Sequence, residues 1–365
     1  MSDAIAAGSQ FGTFEKQDKI LVALSGGVDS SVTLQILRDQ GFDVSAVVIR
    51  FSPAHDKAVE AAKEVAQQLN VPLTVADCTD LFEESVIEPF CQSYCDGETP
   101  SPCVMCNPLV KFRALCEAAD EMGIELIATG HYARVEERDG MYYVAKAVSE
   151  ARDQSYMLYR LPQEVLRRLC LPLGEFHKED IRDMARDLGL ASAETPDSQE
   201  ICFIPDGDYA AFIQARGIAD KQGRFVGPCG EDLGAHKGVS HYTVGQRKGL
   251  GIAYGEPVFV KRIEASGNIL LAKSGDEFFH GVVLSDVFRT DGTSFVPNER
   301  FEIKIRSRAV PAPCQVIGME HSMLTVAFAE PLRAPAPGQS AVFYDGDLVI
   351  GGGVIREILE ELPTE

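Results

Sequence analysis

Short apolar runs alternate with helix-like segments between Lys19 and about Leu190. The apolar run Ile20–Leu24 precedes a segment, Ser30–Gln40, whose apolar residues recur at helical spacing, and Asp43–Phe51 begins the same pair of patterns again. Such alternation predicts a parallel sheet with helices on both faces. The sequence therefore predicts an α/β domain over residues 19–205, with further strands at Pro72–Asp77 and Ile124–Gly130 and a helix at Lys111–Met122.

The pattern weakens and then changes after residue 205. Residues 206–257 are rich in glycine and weakly periodic, which predicts a small central domain. From residue 258, short alternating runs separated by turn residues predict a C-terminal β-barrel over residues 258–365. The run Pro257–Ala272 predicts a hairpin at the start of this barrel. Residues 1–18 show neither pattern and predict a flexible N-terminal tail.

The composition adds an acidic charge to this picture. The chain has 365 residues, of which 45% are hydrophobic, and its 34 Lys and Arg against 55 Asp and Glu give a net charge of −21. This balance does not indicate a nucleic-acid-binding protein, although a local basic face can lie on an acidic chain. No apolar run approaches the roughly 18–20 residues that a membrane span needs, and the N-terminus lacks a signal-peptide pattern. We therefore expect a cytoplasmic protein that does not contact a membrane.

A glycine loop, Ser25-Gly26-Gly27-Val28-Asp29-Ser30, joins the first predicted strand to the first predicted helix. Glycines let the backbone approach an anion, and a helix N-terminus favours negative charge. The loop matches neither the Walker A pattern nor the GxGxxG fingerprint. Ligands of parallel sheets lie at the carboxyl ends of strands, and Thr129-Gly130-His131 follows another strand in the same way. We therefore predict a phosphate site here.

The string SGGVDSS resembles the PP-loop of ATP pyrophosphatases. Members of that superfamily split ATP between the α and β phosphates, adenylate a carbonyl oxygen and let a nucleophile displace AMP. The resemblance implies ATP and Mg²⁺ as cofactors, a pyrophosphate cradle at Gly26, Gly27 and Ser30, and Asp29 close to the phosphates or their Mg²⁺. The ATP site that it implies consists of Ala23, Leu24, Ser25, Gly26, Gly27, Val28, Asp29, Ser30, Ile49 and Gly130.

The chain has ten cysteines, and a cytosolic protein rarely uses cysteines for a disulfide scaffold. Metal binding, catalysis and core packing are therefore the roles to consider. Cys103 and Cys106 form a C-x-x-C just before a predicted helix, where a helix N-terminus lowers the pKa of a thiol and makes it reactive. Cys202 follows a polar, loop-like run. A structural interpretation fits the same patterns: Cys103 and Cys106 could simply pack, and Cys202 could be a core residue. Cys116 and Cys170 lie in apolar helix-like patterns and are predicted to be core residues.

Several longer strings occur in order along the chain with SGGVDSS. Together they resemble the bacterial tRNA-specific 2-thiouridylase family (MnmA/TrmU), from about Lys19 to Glu357. The resemblance implies a Rossmann-like PP-loop domain, a small central domain and a C-terminal β-barrel. It also implies ATP-dependent 2-thiolation of the wobble uridine in tRNAs for Lys, Glu and Gln. The strings are GHYAR, DQSYMLYRL, PLGEFHKEDIRDMARDLGL, QEICFIPDGDY, HYTVGQRKGLGIA and PGQSAVFYDGDLVIGGGVI.

The same resemblance assigns the cysteines. It implies that Cys106 is the nucleophile and that Cys202 carries a persulfide, after which Cys106 and Cys202 pair in a disulfide. A cysteine desulfurase or a sulfur-relay protein would supply the sulfur. In an alternative, Cys103, Cys106 and Cys202 hold a [4Fe–4S] cluster with one open iron. The two routes use overlapping cysteines, so the sequence does not separate them, and we favour the persulfide.

The family pattern also implies tRNA contacts. One of them has support from the residues themselves, because alternation along Phe301–Arg308 would place Lys304, Arg306 and Arg308 on one strand face, where three cations suit phosphates. Arg247 and Lys248 lie in a glycine-rich turn. The implied tRNA-binding residues are His131, Asp153, Gln154, Ser155, Arg306, Ser307, Arg308 and Gln339.

Two other functions compete with thiolation. An ATP pyrophosphatase with a nitrogen nucleophile, such as an amidating ligase, would use the loop but leave the cysteines idle. A non-catalytic RNA-binding protein with a vestigial loop would use neither, although the intact loop together with Cys106 and Cys202 argues against it.

Overall fold

The computed structural model describes residues 18–190, 193 and 201–362, so the predicted tail lies outside the described residues except for Asp18. The chain divides into two compact units. Of the described residues, the first unit comprises those up to Ser85, those within Val104–Phe203 and Asp347–Val349, and the second comprises Val86–Cys103, Ile204–Gly346 and those from Ile350.

The first unit is built on a parallel sheet of five strands in the order β3-β2-β1-β4-β7, which confirms the predicted α/β architecture. The central strand pairs with neighbours on both sides, since Ile20 lies opposite Val44 on one side and opposite Leu126 on the other. The strand order therefore reverses beside the central strand, and in such sheets ligands bind at this reversal. The strands are β1 (Lys19–Ala23), β2 (Asp43–Arg50), β3 (Leu73–Asp77), β4 (Leu126–Ala128) and β7 (Leu169–Cys170). An antiparallel hairpin, β5 (Arg134–Arg138) and β6 (Met141–Ala145), follows β4.

The first helix, α1 (Val28–Asp39), has two apolar faces. One face carries Leu34 and Leu37 into the core formed with the sheet, and the other carries Val32 against Ile181 of α8. Val32 and Ile181 are fully buried, and each such side chain contributes about 1.5–3 kcal/mol by leaving water. The other α-helices up to residue 190 are α2 (Asp56–Gln68), α3 (Thr79–Phe82), α4 (Glu88–Cys95), α5 (Pro102–Cys106), α6 (Phe112–Glu121), α7 (Gln163–Leu166) and α8 (Lys178–Asp187).

The helix predicted at Lys111–Met122 begins earlier than expected. Helix α5 continues directly through a π-helical turn, Asn107–Lys111, into α6. Pro108 explains the turn, because proline has no N–H to give the carbonyl four residues earlier and its ring crowds that carbonyl. The prediction that Cys103 and Cys106 precede a helix is therefore wrong: both lie inside α5.

The central part of the second unit is a four-stranded sheet in the order β10-β11-β8-β9. The predicted hairpin is present, but Ile269 of β11 pairs with Phe225 of β8, so the hairpin joins the central sheet and not the barrel. The predicted boundary at residue 258 therefore separates strands that pair with each other. The elements are α9 (Tyr209–Ala215), β8 (Arg224–Val226), β9 (Asp232–Ala235), β10 (Val258–Ile263) and β11 (Ile269–Lys273).

The predicted C-terminal barrel is confirmed as a closed ring of six strands in the order β12-β15-β14-β13-β16-β17. Pairing of β12 with β17 closes the ring, which leaves no exposed strand edge. Buried residues such as Val282, Val326 and Ile355 fill it. The strands are β12 (Phe278–Arg289), β13 (Arg300–Lys304), β14 (Ala312–Glu320), β15 (Met323–Arg333), β16 (Ser340–Asp345) and β17 (Leu348–Leu359). Across the described ranges, no helix has the length and apolar character needed to cross a membrane.

Candidate active site

The glycine loop lies between β1 and α1, with Gly27 as the residue before the helix. Gly26 has a φ of +75°, and a Cβ on it would lie 2.7 Å from the Cβ of Ala61 on α2. Only glycine fits this conformation and this close approach. Gly26 is buried, whereas Ser25 and Gly27 are exposed, so the loop presents its backbone to solvent on one side.

Serine hydroxyls hold the loop in shape. The Ser25 N–H donates to Ser30 Oγ at 3.1 Å, and Ser30 Oγ donates to the Gly27 carbonyl at 3.1 Å. Ser31 Oγ donates to the same carbonyl at 2.9 Å. The first N–H groups of α1 have no preceding helical carbonyl, so this arrangement presents donors and the positive helix end to an anion.

Most of the predicted ATP-binding residues belong to the end of β1, this loop or the start of α1, whereas Ile49 and Gly130 come from elsewhere in the chain. Leu24 continues β1 and donates its N–H to the Val47 carbonyl at 2.8 Å, and Gly130 follows β4. A Cβ on Gly130 would lie 2.9 Å from the Ser30 nitrogen, so the end of β4 lies against the start of α1. Ile49 is buried near the end of the neighbouring strand β2 and pairs with Ala76, so it lies at the same edge of the sheet.

Asp29 is held by two residues that the sequence did not assign to a site. Lys178 Nζ lies 2.7 Å from Asp29 Oδ1 and 2.9 Å from Oδ2, and the Tyr132 hydroxyl donates to Oδ1 at 2.8 Å. The Lys178 ammonium also lies 5.7 Å from the centre of the Tyr132 ring. Both residues fall inside quoted family strings, which was the only sequence signal for them.

His131 is a largely buried residue, 8% exposed. Because an ammonium only donates, Lys111 Nζ donates to Nε2 at 3.4 Å, and Nδ1 carries the proton toward Thr129 Oγ1 at 2.7 Å. The ring stacks on Phe112. Burial, and then the charge of Lys111, holds the pKa of His131 well below its usual value, so the imidazole is neutral. Its tRNA contact stays a prediction.

The segment Asp153-Gln154-Ser155 braces the loop after β4. Gln154 Oε1 accepts the Tyr132 N–H at 2.8 Å, and its own N–H donates to the Tyr132 carbonyl at 2.7 Å. Asp153 accepts the Ser155 hydroxyl at 2.8 Å, and Ser155 is fully buried. These contacts position Tyr132 beside Asp29, and the tRNA contacts of the three residues stay predictions.

The two predicted catalytic cysteines differ in exposure. Cys106 is the last residue of α5 and is 8% exposed, and Asn107 beside it donates to the Met157 carbonyl at 2.8 Å. Cys202 is exposed, and Phe203 next to it packs edge-on against Phe82 at 5.5 Å. Both cysteines belong to the first unit.

Among the other cysteines, Cys103 is exposed on α5. Cys170 is buried as predicted, and burial raises its pKa to about 12. Cys116 is partly buried, and desolvation raises its pKa too.

A resident metal ion needs several His, Cys, Asp or Glu side chains that lie close together. In residues 18–190, 193 and 201–362, no group of three or more His, Cys, Asp and Glu side chains could hold a metal ion. Cys106 and Cys202 belong to the first unit and Cys103 to the second, and the cluster that the three would hold stays a prediction. Mg²⁺ has a different requirement, because it takes most of its ligands from phosphates and water and needs only one or two carboxylates. Asp29 at the loop satisfies that requirement.

The predicted face of three cations on one strand is wrong. Strand β13 ends at Lys304, which is 7% exposed and lies over the Tyr344 ring. Arg306 Nη2 donates to the carbonyls of Val244 at 3.0 Å and Ala334 at 2.8 Å. The buried carbonyls outcompete solvent for this guanidinium. Of the three cations, Arg308 is exposed, and Ser307 beside it is partly exposed.

Gln339 contacts the segment that leads into α5. Its Nε2 donates to the Thr99 carbonyl at 2.7 Å, and its Oε1 accepts the Ser101 hydroxyl at 3.3 Å. The Thr99 N–H donates to the Pro337 carbonyl at 2.8 Å, and a Cβ on Gly338 would lie 2.9 Å from the Thr99 nitrogen. Gln339 therefore positions this segment within the second unit.

Three domain models match successive parts of the chain. They are a tRNA methyl transferase HUP domain at residues 18–206, a tRNA methyl transferase PRC-barrel domain at residues 210–273 and an aminomethyltransferase beta-barrel domain at residues 291–355. The second match ends where β11 ends, in agreement with the hairpin belonging to the central sheet.

Relatives with similar sequences match along nearly their whole length. The tRNA-specific 2-thiouridylase MnmA of Syntrophotalea carbinolica is 43% identical over 357 residues, which cover 93% of this chain and 99% of the relative. The protein of the same name from Clostridium acetobutylicum is 40% identical with the same coverage. A solved 4-thiouridine synthetase–RNA complex with bound ATP gives a TM-score of 0.37 at 18% identity and covers 55% of this chain and 50% of that chain.

Proposed function

Because the chain belongs to the tRNA-specific 2-thiouridylase family, we propose that it is an ATP-dependent tRNA sulfurtransferase that thiolates a uridine at C2. The observation that carries the proposal is the glycine loop, which serine hydroxyl hydrogen bonds hold in shape at the strand reversal. We extend the proposal to the wobble uridine of tRNAs for Lys, Glu and Gln, and to a cytoplasmic location.

The first step is adenylation at the loop. The N–H groups at the start of α1 and the exposed backbone of Ser25 and Gly27 support binding of the ATP phosphates. The C2 oxygen of uridine attacks the α-phosphate, the α–β bond breaks, and pyrophosphate leaves. Mg²⁺ bound beside Asp29 would neutralise phosphate charge. Gly130 lies against the same helix start and leaves space that a side chain would fill.

The second step is sulfur transfer from Cys202. A cysteine desulfurase or a relay protein loads a persulfide, and the exposure of Cys202 supports its access to such a donor. The terminal sulfur attacks C2, and AMP leaves with the electron pair of the C–O bond. The Cys106 thiolate then attacks the Cys202 sulfur, which leaves thiouridine and a Cys106–Cys202 disulfide. A thiol reductant supplies the two electrons and two protons that restore both cysteines.

Two kinds of residue contribute to the proposed tRNA-binding surface: exposed cations that contact phosphates, and residues that position neighbouring segments. Arg308, Arg247 and Lys248 are exposed cations of the second unit and are suited to phosphates. We propose that Arg306 and Gln339 act on tRNA binding through the segments that they position. The two carbonyls that accept from Arg306 place it next to the turn that carries Arg247.

The test uses the full chain with tRNA, ATP and a persulfide donor. Nucleoside mass spectrometry measures 2-thiouridine, and chromatography measures AMP and pyrophosphate. We expect Cys202→Ser to lose thiolation and to keep one turnover of tRNA-dependent pyrophosphate release. Cys229→Ser removes another exposed cysteine and should keep both activities. Thiolation by Cys202→Ser would contradict the persulfide assignment.

The same material tests the competing routes. Iron at about four atoms per active chain, lost on Cys103→Ser, would support the cluster alternative in place of the persulfide. AMP release that depends on ammonia or an amino acid, and not on tRNA, would support a ligase with a nitrogen nucleophile and overturn the proposed function.

A further inference from the structure

Lys178 occupies a place where a lysine is unfavourable without a specific partner. It is the first residue of α8, whose positive dipole end disfavours a cation, and it is 4% exposed. His177 and Asp180 already form a capping box there, so the lysine is not needed to satisfy the helix start.

The partner of Lys178 is the acidic residue of the glycine loop. Both Asp29 oxygens accept from the ammonium, at 2.7 and 2.9 Å, and Asp29 lies in the first turn of α1. The Asp29 side chain is 32% exposed, whereas that of Lys178 is 5% exposed. Asp29 therefore holds the buried Lys178 ammonium beside the start of α1, where the glycine loop would receive an anion.

A purely structural role explains this pair poorly. Helices α1 and α8 already pack through an apolar cluster that includes Val32, Ile181 and Ala185. Buried ion pairs add little stability, because the desolvation of both charges offsets their attraction. The apolar contacts would hold the two helices together without Lys178 and Asp29.

We propose that Lys178 binds the phosphates of the nucleotide at the glycine loop. An ammonium only donates, and a phosphate oxygen is an acceptor of the same kind as the two Asp29 oxygens that Lys178 contacts, so a phosphate can replace one of them while the other is kept. Asp29 stabilises the Lys178 ammonium beside the loop, and the Tyr132 hydroxyl fixes the Asp29 carboxylate. The inference rests on the proposed function only in that the loop binds ATP.

The two members of the pair should affect anion binding in opposite directions. The probe is inorganic pyrophosphate in EDTA, measured by isothermal titration calorimetry, so that no metal bridges Asp29 to the ligand. Lys178→Met should weaken binding about tenfold or more, since it removes an attracting charge. Asp29→Asn should strengthen binding by several fold, since it removes a repelling charge and keeps the lysine. Adenosine affinity should stay unchanged in both variants.

Controls separate this proposal from the proposed function. Lys146→Met removes another partly buried lysine of the first unit, near Asp347, and should leave pyrophosphate binding unchanged. Should Lys178→Met fail to fold, the double change Asp29→Asn/Lys178→Met leaves no unpaired carboxylate and is compared with Asp29→Asn. Equal pyrophosphate affinity with and without Lys178, or equal losses of affinity in Asp29→Asn and Lys178→Met, overturns the role of Lys178. Failure of the wild type to bind ATP would instead overturn the proposed function.

Discussion

Replacing Gly26 by alanine tests whether the phosphate loop depends on close packing against α2. The new Cβ would lie 2.7 Å from Ala61 Cβ and 2.8 Å from the Ala62 nitrogen, at a φ of +75°. A left-handed backbone costs a non-glycine residue about 1–2 kcal/mol. A forced contact in a packed interior costs about 1–3 kcal/mol. We therefore expect the free energy of unfolding to fall by about 2–5 kcal/mol.

Gly123→Ala provides the matched control. Gly123 also has a left-handed φ, +65°, but no heavy atom lies within 4 Å of a Cβ placed there. This variant should lose only the backbone contribution, about 1–2 kcal/mol, so the difference between the variants isolates the packing contribution. Denaturant unfolding measures both losses, and calorimetry with ATP shows whether the Gly26 loop has moved instead. A Gly26→Ala protein that unfolds like Gly123→Ala and binds ATP like the wild type would refute the reasoning.

Two further predictions concern proton and salt dependence. The pKa of His131 is lowered in the folded protein, so below pH 6.5 the unfolded chain binds a proton at this imidazole that the folded chain does not bind. The free energy of unfolding should therefore fall by about 1 kcal/mol between pH 6.5 and 5.5. This part of the loss should be absent from the unfolding curves of His131→Gln. Arg308→Gln should reduce the slope of log affinity for tRNA against log salt by about 1, as a lost phosphate contact does. Arg306→Gln removes the donor of the Val244 and Ala334 carbonyls, so it should lower the free energy of unfolding by about 1–3 kcal/mol and leave the salt slope unchanged. An equal change of slope in the Arg306 and Arg308 variants would contradict the different roles given to the two arginines.

The sequence predicts those parts of the site whose structure depends on residues adjacent in the chain. The loop Ser25–Ser30 is predictable because the strand, the glycines and the helix start are adjacent in the chain. The observed α1 begins two residues before the predicted Ser30, since a helix can start directly after Gly27. Periodicity identifies a helix but does not locate its first turn, which backbone hydrogen bonding determines.

Long-range pairing could not be predicted. Asp29 and Lys178 are far apart in sequence, and no periodicity in the chain relates one to the other. The alternation that suggested a cationic face at Phe301–Arg308 continues past the point where β13 ends at Lys304. The end of a strand depends on the partner strands, and the direction of the Arg306 side chain depends on carbonyls from two distant segments.

The acidic charge of the chain does not oppose RNA binding, because a phosphate responds mainly to the nearest charges. At physiological salt the screening length is about 8 Å, so distant carboxylates contribute little at a given contact. Some cations of the second unit face inward or have a carboxylate partner: Arg289 pairs with Glu299, and Lys304 is buried over a tyrosine ring. Arg308, Arg247 and Lys248 are exposed to solvent. The position of exposed cations, and not the net charge of −21, therefore determines where this chain can meet a polyanion.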